Sequence, residues 1–246
     1  MAIYIWPANI DAQIREDEER IGGTELQGII YLEEFQAGFS FTTNGYSINA
    51  RRSWSPTAFF ERGFEADIVM IRHPKEINRY NSTINFYGGS SFAFGKLNSL
   101  YALRIGFGEN HEIAEKIDLG SVEINYFYYG GLSIGGVKPI YLEIFNPTSV
   151  NYIDTERYDP SRHDLDNIFG GVPFTKGFSE MKIYPGIYAK FGLNFDYKIS
   201  TQKIGTLEAG MVIDYYFKKV PIMVTAKNYS HFLSFYISIN FGKKWI

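Results

Sequence analysis

Ten charged residues stand where they could act together: Arg51, Glu61, Glu65, Asp67, Arg104, Glu123, Lys190, Asp196, Glu208 and Asp214. Each falls on the polar side of a segment whose other side is Ile, Leu, Phe, Ala, Met or Tyr. Charges of both signs on one shared face suit two chemistries. They can pair with each other and fill a narrow interior, or they can line a pore that selects ions. An unpaired charge in a confined space is costly, so pairing is the favoured reading.

Two other groupings have the right residue types for a site. The four histidines are His73, His111, His163 and His231. His231 is close to Ser230 and Ser234, and His163 adjoins Asp164, which is the material of an acyl-transfer or hydrolytic site. Neither has triad spacing, although triads are recognised by geometry. The expectation is a chain with no catalytic residue, not an enzyme. Asp154, Glu156, Asp159, His163, Asp164 and Asp166 carry oxygen ligands at a density that could hold Ca²⁺, without the EF-hand spacing. They read as a solvated acidic loop, and no metal or cofactor is expected. The chain has no Cys, which removes disulfides, thiol chemistry and thiolate metal sites. With 24 Lys+Arg against 27 Asp+Glu it has no basic footprint, so nucleic acid is not an expected partner.

What positions the ten charges is a strict alternation of period two. From 183 to 197 the odd positions are Ile183, Pro185, Ile187, Ala189, Phe191, Leu193, Phe195 and Tyr197. The even positions are Tyr184, Gly186, Tyr188, Lys190, Gly192, Asn194 and Asp196. Leu207, Ala209, Met211, Ile213, Tyr215 and Phe217 oppose Glu208, Gly210, Val212, Asp214 and Tyr216. Leu233, Phe235, Ile237, Ile239 and Phe241 oppose Ser234, Tyr236, Ser238, Asn240 and Gly242. Weaker versions recur at 29–41, 60–70, 101–108 and 122–128, and a further strand is expected from Gly131 to Phe145 with Pro139 inside it. Asn44-Gly45 suits a hairpin turn. Only 156–170 offers a competing helical period.

The fold class is therefore all-β, an antiparallel up-and-down barrel. Ten strands are favoured and eight are the alternative, because single-chain membrane barrels of bacteria have even strand numbers. No run of 18 apolar residues is present, so no helix would span a membrane, but strands of about 9–11 residues can. The polar faces hold Gly, Tyr, Ser and Asn with scattered charges. A water-facing sheet would normally carry more Lys and Glu. The expectation is thus a transmembrane barrel with Ile187, Phe191, Phe195, Ile213, Phe235 and Ile239 facing lipid, and the charges above facing a small plugged lumen. Tyr126, Tyr128, Tyr129, Tyr215, Tyr216 and Trp245 are expected near strand ends as an aromatic girdle. Residues 24–246 form the barrel, with a long loop at 146–180. Residues 1–23 read as a signal-peptide remnant and N-terminal extension, with Ala12-Gln13 as a cleavage junction.

Several segments resemble a known group. The final run Phe235-Tyr-Ile-Ser-Ile-Asn-Phe-Gly-Lys-Lys-Trp245 resembles the C-terminal strand that barrel-assembly machinery recognises. The stretches beginning at His73, Phe94, Lys138, Pro173 and Lys218 resemble uncharacterised small outer-membrane β-barrel proteins of Bacteroidota. The resemblance covers most of residues 35 to 245 and carries over no catalytic residue. It implies a cell outer-membrane location as a multi-pass barrel. It also implies contact with lipopolysaccharide and phospholipid, and partners among other outer-membrane proteins or lipoproteins. The leading function is a closed structural or accessory subunit of a multi-protein complex for protein export, barrel assembly or nutrient uptake. The alternatives are a narrow solute channel and a lipid-modifying enzyme.

Overall fold

The computed structural model describes residues 33–57, 60–80, 90–114, 122–147, 152–198, 203–224 and 226–245. The N-terminal extension, the cleavage junction and the part of the barrel expected at 24–32 lie outside the described residues. Thirteen strands occur among the described residues: β1 Glu33–Thr42, β2 Gly45–Thr57, β3 Phe60–Ile71, β4 Asn78–Arg79, β5 Phe92–Ala93, β6 Asn98–Ala114, β7 Glu123–Pro139, β8 Tyr141–Phe145, β9 Ile153–Arg157, β10 Ile168–Gly171, β11 Lys182–Lys198, β12 Lys203–Tyr216 and β13 His231–Trp245. Eight of them close into a barrel in the order β1-β13-β12-β11-β7-β6-β3-β2. Every neighbouring pair is antiparallel and the chain runs round the barrel in sequence, up and down. β1 closes the ring on β13, from Glu33↔Trp245 to Thr42↔Tyr236.

The barrel has eight strands, the alternative count, and not the favoured ten. The excess came largely from one strand read as two. β7 runs from Glu123 straight through Gly130-Gly131 to Pro139, where Pro has no N–H to continue the ladder. Tyr141–Phe145 then leaves the barrel and pairs with β9 and β10 in a separate sheet of order β10-β8-β9. Phe92–Ala93 also lies outside the barrel, paired with β4. The expected long loop is therefore partly a folded sheet. The helical period at 156–170 is not used; β9, a turn and β10 occupy that stretch.

The connections fall into two sets. Both described chain ends, Glu33 and Trp245, stand at one mouth of the barrel. At the other mouth are the tight β1–β2 turn and the long connections spanning 72–97, 140–181 and 217–230. In the tight turn Gly45 takes a φ of +150°, and a Cβ there would meet the Met70 carbonyl oxygen at 1.9 Å, so only Gly fits. The Asn44 amide reaches across to the Leu233 carbonyl at 2.7 Å, which ties the turn to β13.

Two buried clusters fill the interior and a third lies in the outer sheet. Phe127, Tyr129, Tyr188, Val212 and Tyr236 pack at mid-barrel. Val69, Ile71, Leu100, Ala102, Val137, Tyr216 and Phe232 pack towards the long-loop mouth. There Val220, Ile222 and Met223 join the same cluster and form a lid. Phe92, Leu142, Ile144, Tyr158 and Ile168 make the small core of the outer sheet.

Candidate functional site

The pleat sends alternate side chains to opposite faces, and in this barrel the polar set goes in. Glu65, Asp67, Arg51, Arg104, Lys190, Asp196, Glu208 and Asp214 are all buried. Glu61 and Glu123 are half-buried near the mouth that holds the termini. Seven of these form a chain of alternating charge. Glu208 meets Arg51 at 2.8 Å, and Arg51 meets Glu65 at 2.8 Å. Lys190 meets Glu65 at 2.8 Å and Asp67 at 3.8 Å. Arg104 meets Asp67 at 3.5 Å and takes Asp214 with both arms, at 2.9 and 2.6 Å. Ser133 donates to Asp214 at 2.8 Å. The chain crosses five strands, so it locks the register of β2, β3, β6, β11 and β12 against one another.

Aromatic rings close the space around this chain. Arg51 lies over the Tyr129 and Phe127 rings at 4.7 and 5.0 Å, and Lys190 lies over Tyr236 at 5.0 Å. Glycine makes room for the rings: a Cβ on Gly106 would stand 2.3 Å from the Tyr188 hydroxyl. An interior filled in this way is a packed core with polar members.

A second charged group sits nearer the termini. Lys244 lies 3.0 Å from Glu34 and 3.6 Å from Glu61. Thr206 donates to Asp196 at 2.5 Å, and Ser53 donates to Glu61 at 3.3 Å. Sequence reasoning missed Lys244, Glu34 and Gln36. The parity of β13 was the available signal, since Ser238, Asn240 and Gly242 lead inward to Lys244.

The outward set is apolar. Ile187, Phe191, Ile213, Phe235 and Ile239 are exposed, Phe191 at 47 %, and Phe195 is half-exposed. Phe39, Phe41, Ile48, Phe64, Ile68, Ile105, Leu132, Ile237 and Phe241 continue the same surface around the barrel. Charges reappear on the outside towards the termini, as the pairs Arg52–Glu33 at 2.7 Å and Arg62–Glu109 at 2.8 Å. Two girdle residues are corrected: Tyr129 and Tyr216 point inward, 2 % and 0 % exposed, because each has odd parity with its outward neighbour Tyr128 or Tyr215.

His231 is exposed on the outer face of β13, while Ser234 is buried on the inner face. His163 is held by Glu156 at 3.3 Å and accepts the Asp159 N–H at 3.0 Å. The acidic residues of that segment shape its turns. Asp159 accepts from the Ser161 N–H and hydroxyl, which hold its carboxyl below the usual range. Asp164 accepts from the N–H groups of Asp166 and Asn167, and Asp154 from the Asn146 amide at 2.8 Å.

The long-loop mouth holds a feature that sequence reasoning did not find. Between residues 76–78, 91–96, the end of β7 with the start of β8, and residues 171–176 lies a cleft of about 170 Å³. Lys96, Lys138 and Lys176 line it with Glu76. Burial lowers the Lys96 ammonium's pKa, against the opposing pull of Glu76 at 2.5 Å.

Known proteins offer structural likeness at low identity. No protein-family model matches the chain, and no curated protein sequence does. Among solved structures, Neisserial surface protein A aligns with 87 % of this chain and 96 % of its own at 10 % identity and a TM-score of 0.41. Ail of Yersinia pestis, solved with the heparin analogue sucrose octasulfate, covers 88 % and 100 % at 7 % identity and a TM-score of 0.40. The N-terminal β-barrel domain of Pseudomonas aeruginosa OprF covers 87 % and 96 % at 9 % identity and a TM-score of 0.35.

Proposed function

We propose that this chain is an integral outer-membrane barrel with a closed lumen, serving as a structural or accessory subunit of a multi-protein outer-membrane complex. One observation carries the membrane part: the barrel is polar inside and apolar outside. A soluble barrel of the same size would expose Lys190, Glu208 and Asp214 and bury Phe191, Ile213 and Phe235. Here the reverse holds. Closure of β1 on β13 also leaves no open strand edge, which lipid demands. At ~3.3 Å per residue and a tilt of ~40°, Ile183 to Phe195 rises roughly 30 Å and Leu233 to Phe241 roughly 20 Å, bracketing the ~25 Å apolar band of such barrels. The longer loops of these barrels face outward, and three of the four connections at the lid's mouth are long, so the lid and the outer sheet would stand outside the cell.

The closed lumen supports a non-conducting role. Ion pairs and rings fill the middle, and Val220, Ile222 and Met223 cover one mouth. The folded outer sheet of β8, β9 and β10 is a surface that a partner protein can use. No catalytic role is part of this reading. The likeness of several segments to Bacteroidota barrels suggests that phylum as the source, and the solved neighbours come from other bacteria. The test is affinity purification of a tagged chain from native outer membranes. Co-purification of defined envelope proteins is expected. A strictly monomeric protein that brings down no partner would overturn the accessory role, and recovery in the soluble fraction would overturn the membrane reading.

A further inference from the structure

The cleft at the long-loop mouth has an excess of positive charge that the described residues do not neutralise. Lys138 is buried. Its Nζ donates to the Phe174 carbonyl at 2.8 Å and the Lys176 carbonyl at 3.1 Å, and lies over the Phe174 and Phe178 rings at 4.9 and 5.2 Å. Carbonyls and ring faces attract an ammonium without cancelling its charge, and among the described residues no carboxylate pairs with it. An ammonium carries three protons, and two are used. Lys96, also buried, is paired with Glu76 at 2.5 Å. Lys176 stands over the Tyr141 ring at 5.6 Å with its end in solvent. The wall therefore presents three ammonium groups against one carboxylate, and the Oε2 of Glu76 has no hydrogen-bond partner.

A buried cation without a counter-ion is costly to keep. A cleft built around one, with a second cation at its edge, is complementary to a compact anion of about two negative charges. Lysine serves such an anion as a point charge. We propose that this cleft binds a phosphate group carried on a sugar. Lys138 and Lys176 take the phosphate oxygens, and the free Glu76 oxygen accepts a hydroxyl proton of the carrier. The site lies on the outward side of β7: Lys138 shares the outward parity of Ile134 and Gly136, and Met181 covers Gly136. Under the membrane reading that is the level of outer-leaflet headgroups, so the phosphate has two possible sources. It is either part of a phosphorylated glycolipid or a free sugar phosphate.

The experiment uses the full chain in detergent micelles and in lipid nanodiscs. Glucose 1-phosphate, with glucose as control, is titrated calorimetrically into the micellar protein. Lipid A with and without its phosphates is offered in nanodiscs and scored by native mass spectrometry. Saturable binding that requires the phosphate is expected in at least one arm. Binding in the first arm assigns a free sugar phosphate, and binding confined to the second assigns the glycolipid. Lys138→Gln should weaken it at least tenfold and Lys176→Ala about threefold, while Lys138→Arg should retain it. Lys176 is exposed, so its variant reports even if Lys138→Gln does not fold. Absence of phosphate-dependent binding in both arms overturns the proposal, and so does equal binding by Lys176→Ala and wild type. The micellar arm does not depend on where the protein resides, so binding of glucose 1-phosphate there stands even if the membrane reading falls.

Discussion

Arg104 on β6 grips Asp214 on β12 through both ends of its fork, Nε to Oδ1 at 2.9 Å and Nη2 to Oδ2 at 2.6 Å. The two residues are not on neighbouring strands; the bond spans the interior. Arg104 is 2 % exposed and Asp214 fully buried. A pair of this kind cannot be judged by its attraction alone, because both ions gave up water to enter. What it does supply is a penalty for any other register, since a shift of one residue on either strand turns one partner outward.

From this follows a prediction about single and double variants. Arg104→Ala leaves Asp214 and Asp67 buried beside an empty space and should cost about 3–5 kcal/mol. Replacing both partners, Arg104→Met with Asp214→Leu, should cost far less than the two single changes added together. Urea unfolding of the refolded barrel in vesicles measures all three. Additive losses would show that the two side chains act independently.

The direction of the apolar face makes a second prediction. Phe191 lies near the middle of β11 on the outer surface, Ile213 lies on the same surface opposite Ala189 of β11, and Tyr197 lies at the end of β11 beside Gly205. Arg at Phe191 or Ile213 should cost about 2–4 kcal/mol in a bilayer, whereas Arg at Tyr197 should cost about 0–1 kcal/mol. Near the end, the long side chain can carry its charge to the interface. Equal costs at the three positions, measured by the same unfolding assay, would contradict a lipid-facing surface.

These two predictions rest on features that local sequence carries. Period-two alternation assigns Phe191 and Lys190 to opposite faces without any knowledge of the fold, because the pleat alone dictates it. Lys190 and Glu65 stand far apart in the chain, so their contact could be anticipated only as a need for pairing. Gly130-Gly131 looks like a break in the strand. It is instead a close approach, since a Cβ on Gly131 would meet the Ile105 carbonyl oxygen at 2.2 Å. That neighbour lies on another strand and leaves no local trace. Tyr128 and Tyr129 show the limit from the other side. Both are near a strand end by composition, but adjacency obliges one of them to enter the lumen. The lid and the cationic cleft were illegible for a further reason. Val220, Ile222 and Met223 have no long periodic segment around them, and Lys96 and Lys138 line one cleft because β6 and β7 pair there, Ser99 opposite Lys138, a register that leaves no local trace.

His73, beside the long-loop mouth, gives a pH prediction. Its Nδ1 accepts the Lys75 N–H at 3.1 Å, so the bound form is neutral. Burial lowers its pKa from the ordinary 6.5, outweighing the Lys227 backbone and Glu76, which pull it up, and the charge of Lys75 pushes the same way as burial. Between the folded and unfolded values the unfolded chain binds more protons. The local structure is therefore fully stable above about 6.5 and loses stability as pH falls through the lowered folded value. Protonation also removes the acceptor that holds Lys75. Hydrogen exchange at the Lys75 amide should accelerate on acidification beyond the intrinsic pH effect, and His73→Gln should remove that excess. An excess that persists in His73→Gln would assign it to another group.

The lid supplies the last prediction, and it turns on Asn228. Its side-chain Oδ1 accepts the N–H of Ile222 at 3.0 Å and of Met223 at 3.3 Å, and its Nδ2 donates to the Met223 carbonyl at 3.2 Å. One amide thus satisfies three backbone groups of Ile222 and Met223, two of the three apolar lid residues. Further ties run to the strand entry of β6, with Leu97 N–H to the Ile222 carbonyl at 2.8 Å and the Asn98 amide to the Pro221 carbonyl at 2.6 Å, and Val220 N–H donates to the Tyr229 carbonyl at 3.0 Å. Asn228→Ala leaves the three groups in a partly buried setting without that partner. Each orphaned group costs about 1–3 kcal/mol where water cannot replace the bond, so the lid should open locally while the barrel stays closed. Hydrogen exchange at Ile222 and Met223 should rise by at least tenfold, with the β11 and β12 amides unchanged. Ile222→Ala should raise it as well, through lost packing on Leu100 and Val137. Planar-bilayer recordings complete the test. With Arg51, Arg104 and the interior tyrosines still in place, the opened Asn228→Ala barrel should remain silent. A steady conductance appearing only in that variant would identify the lid, and not the charged interior, as the barrier to ions.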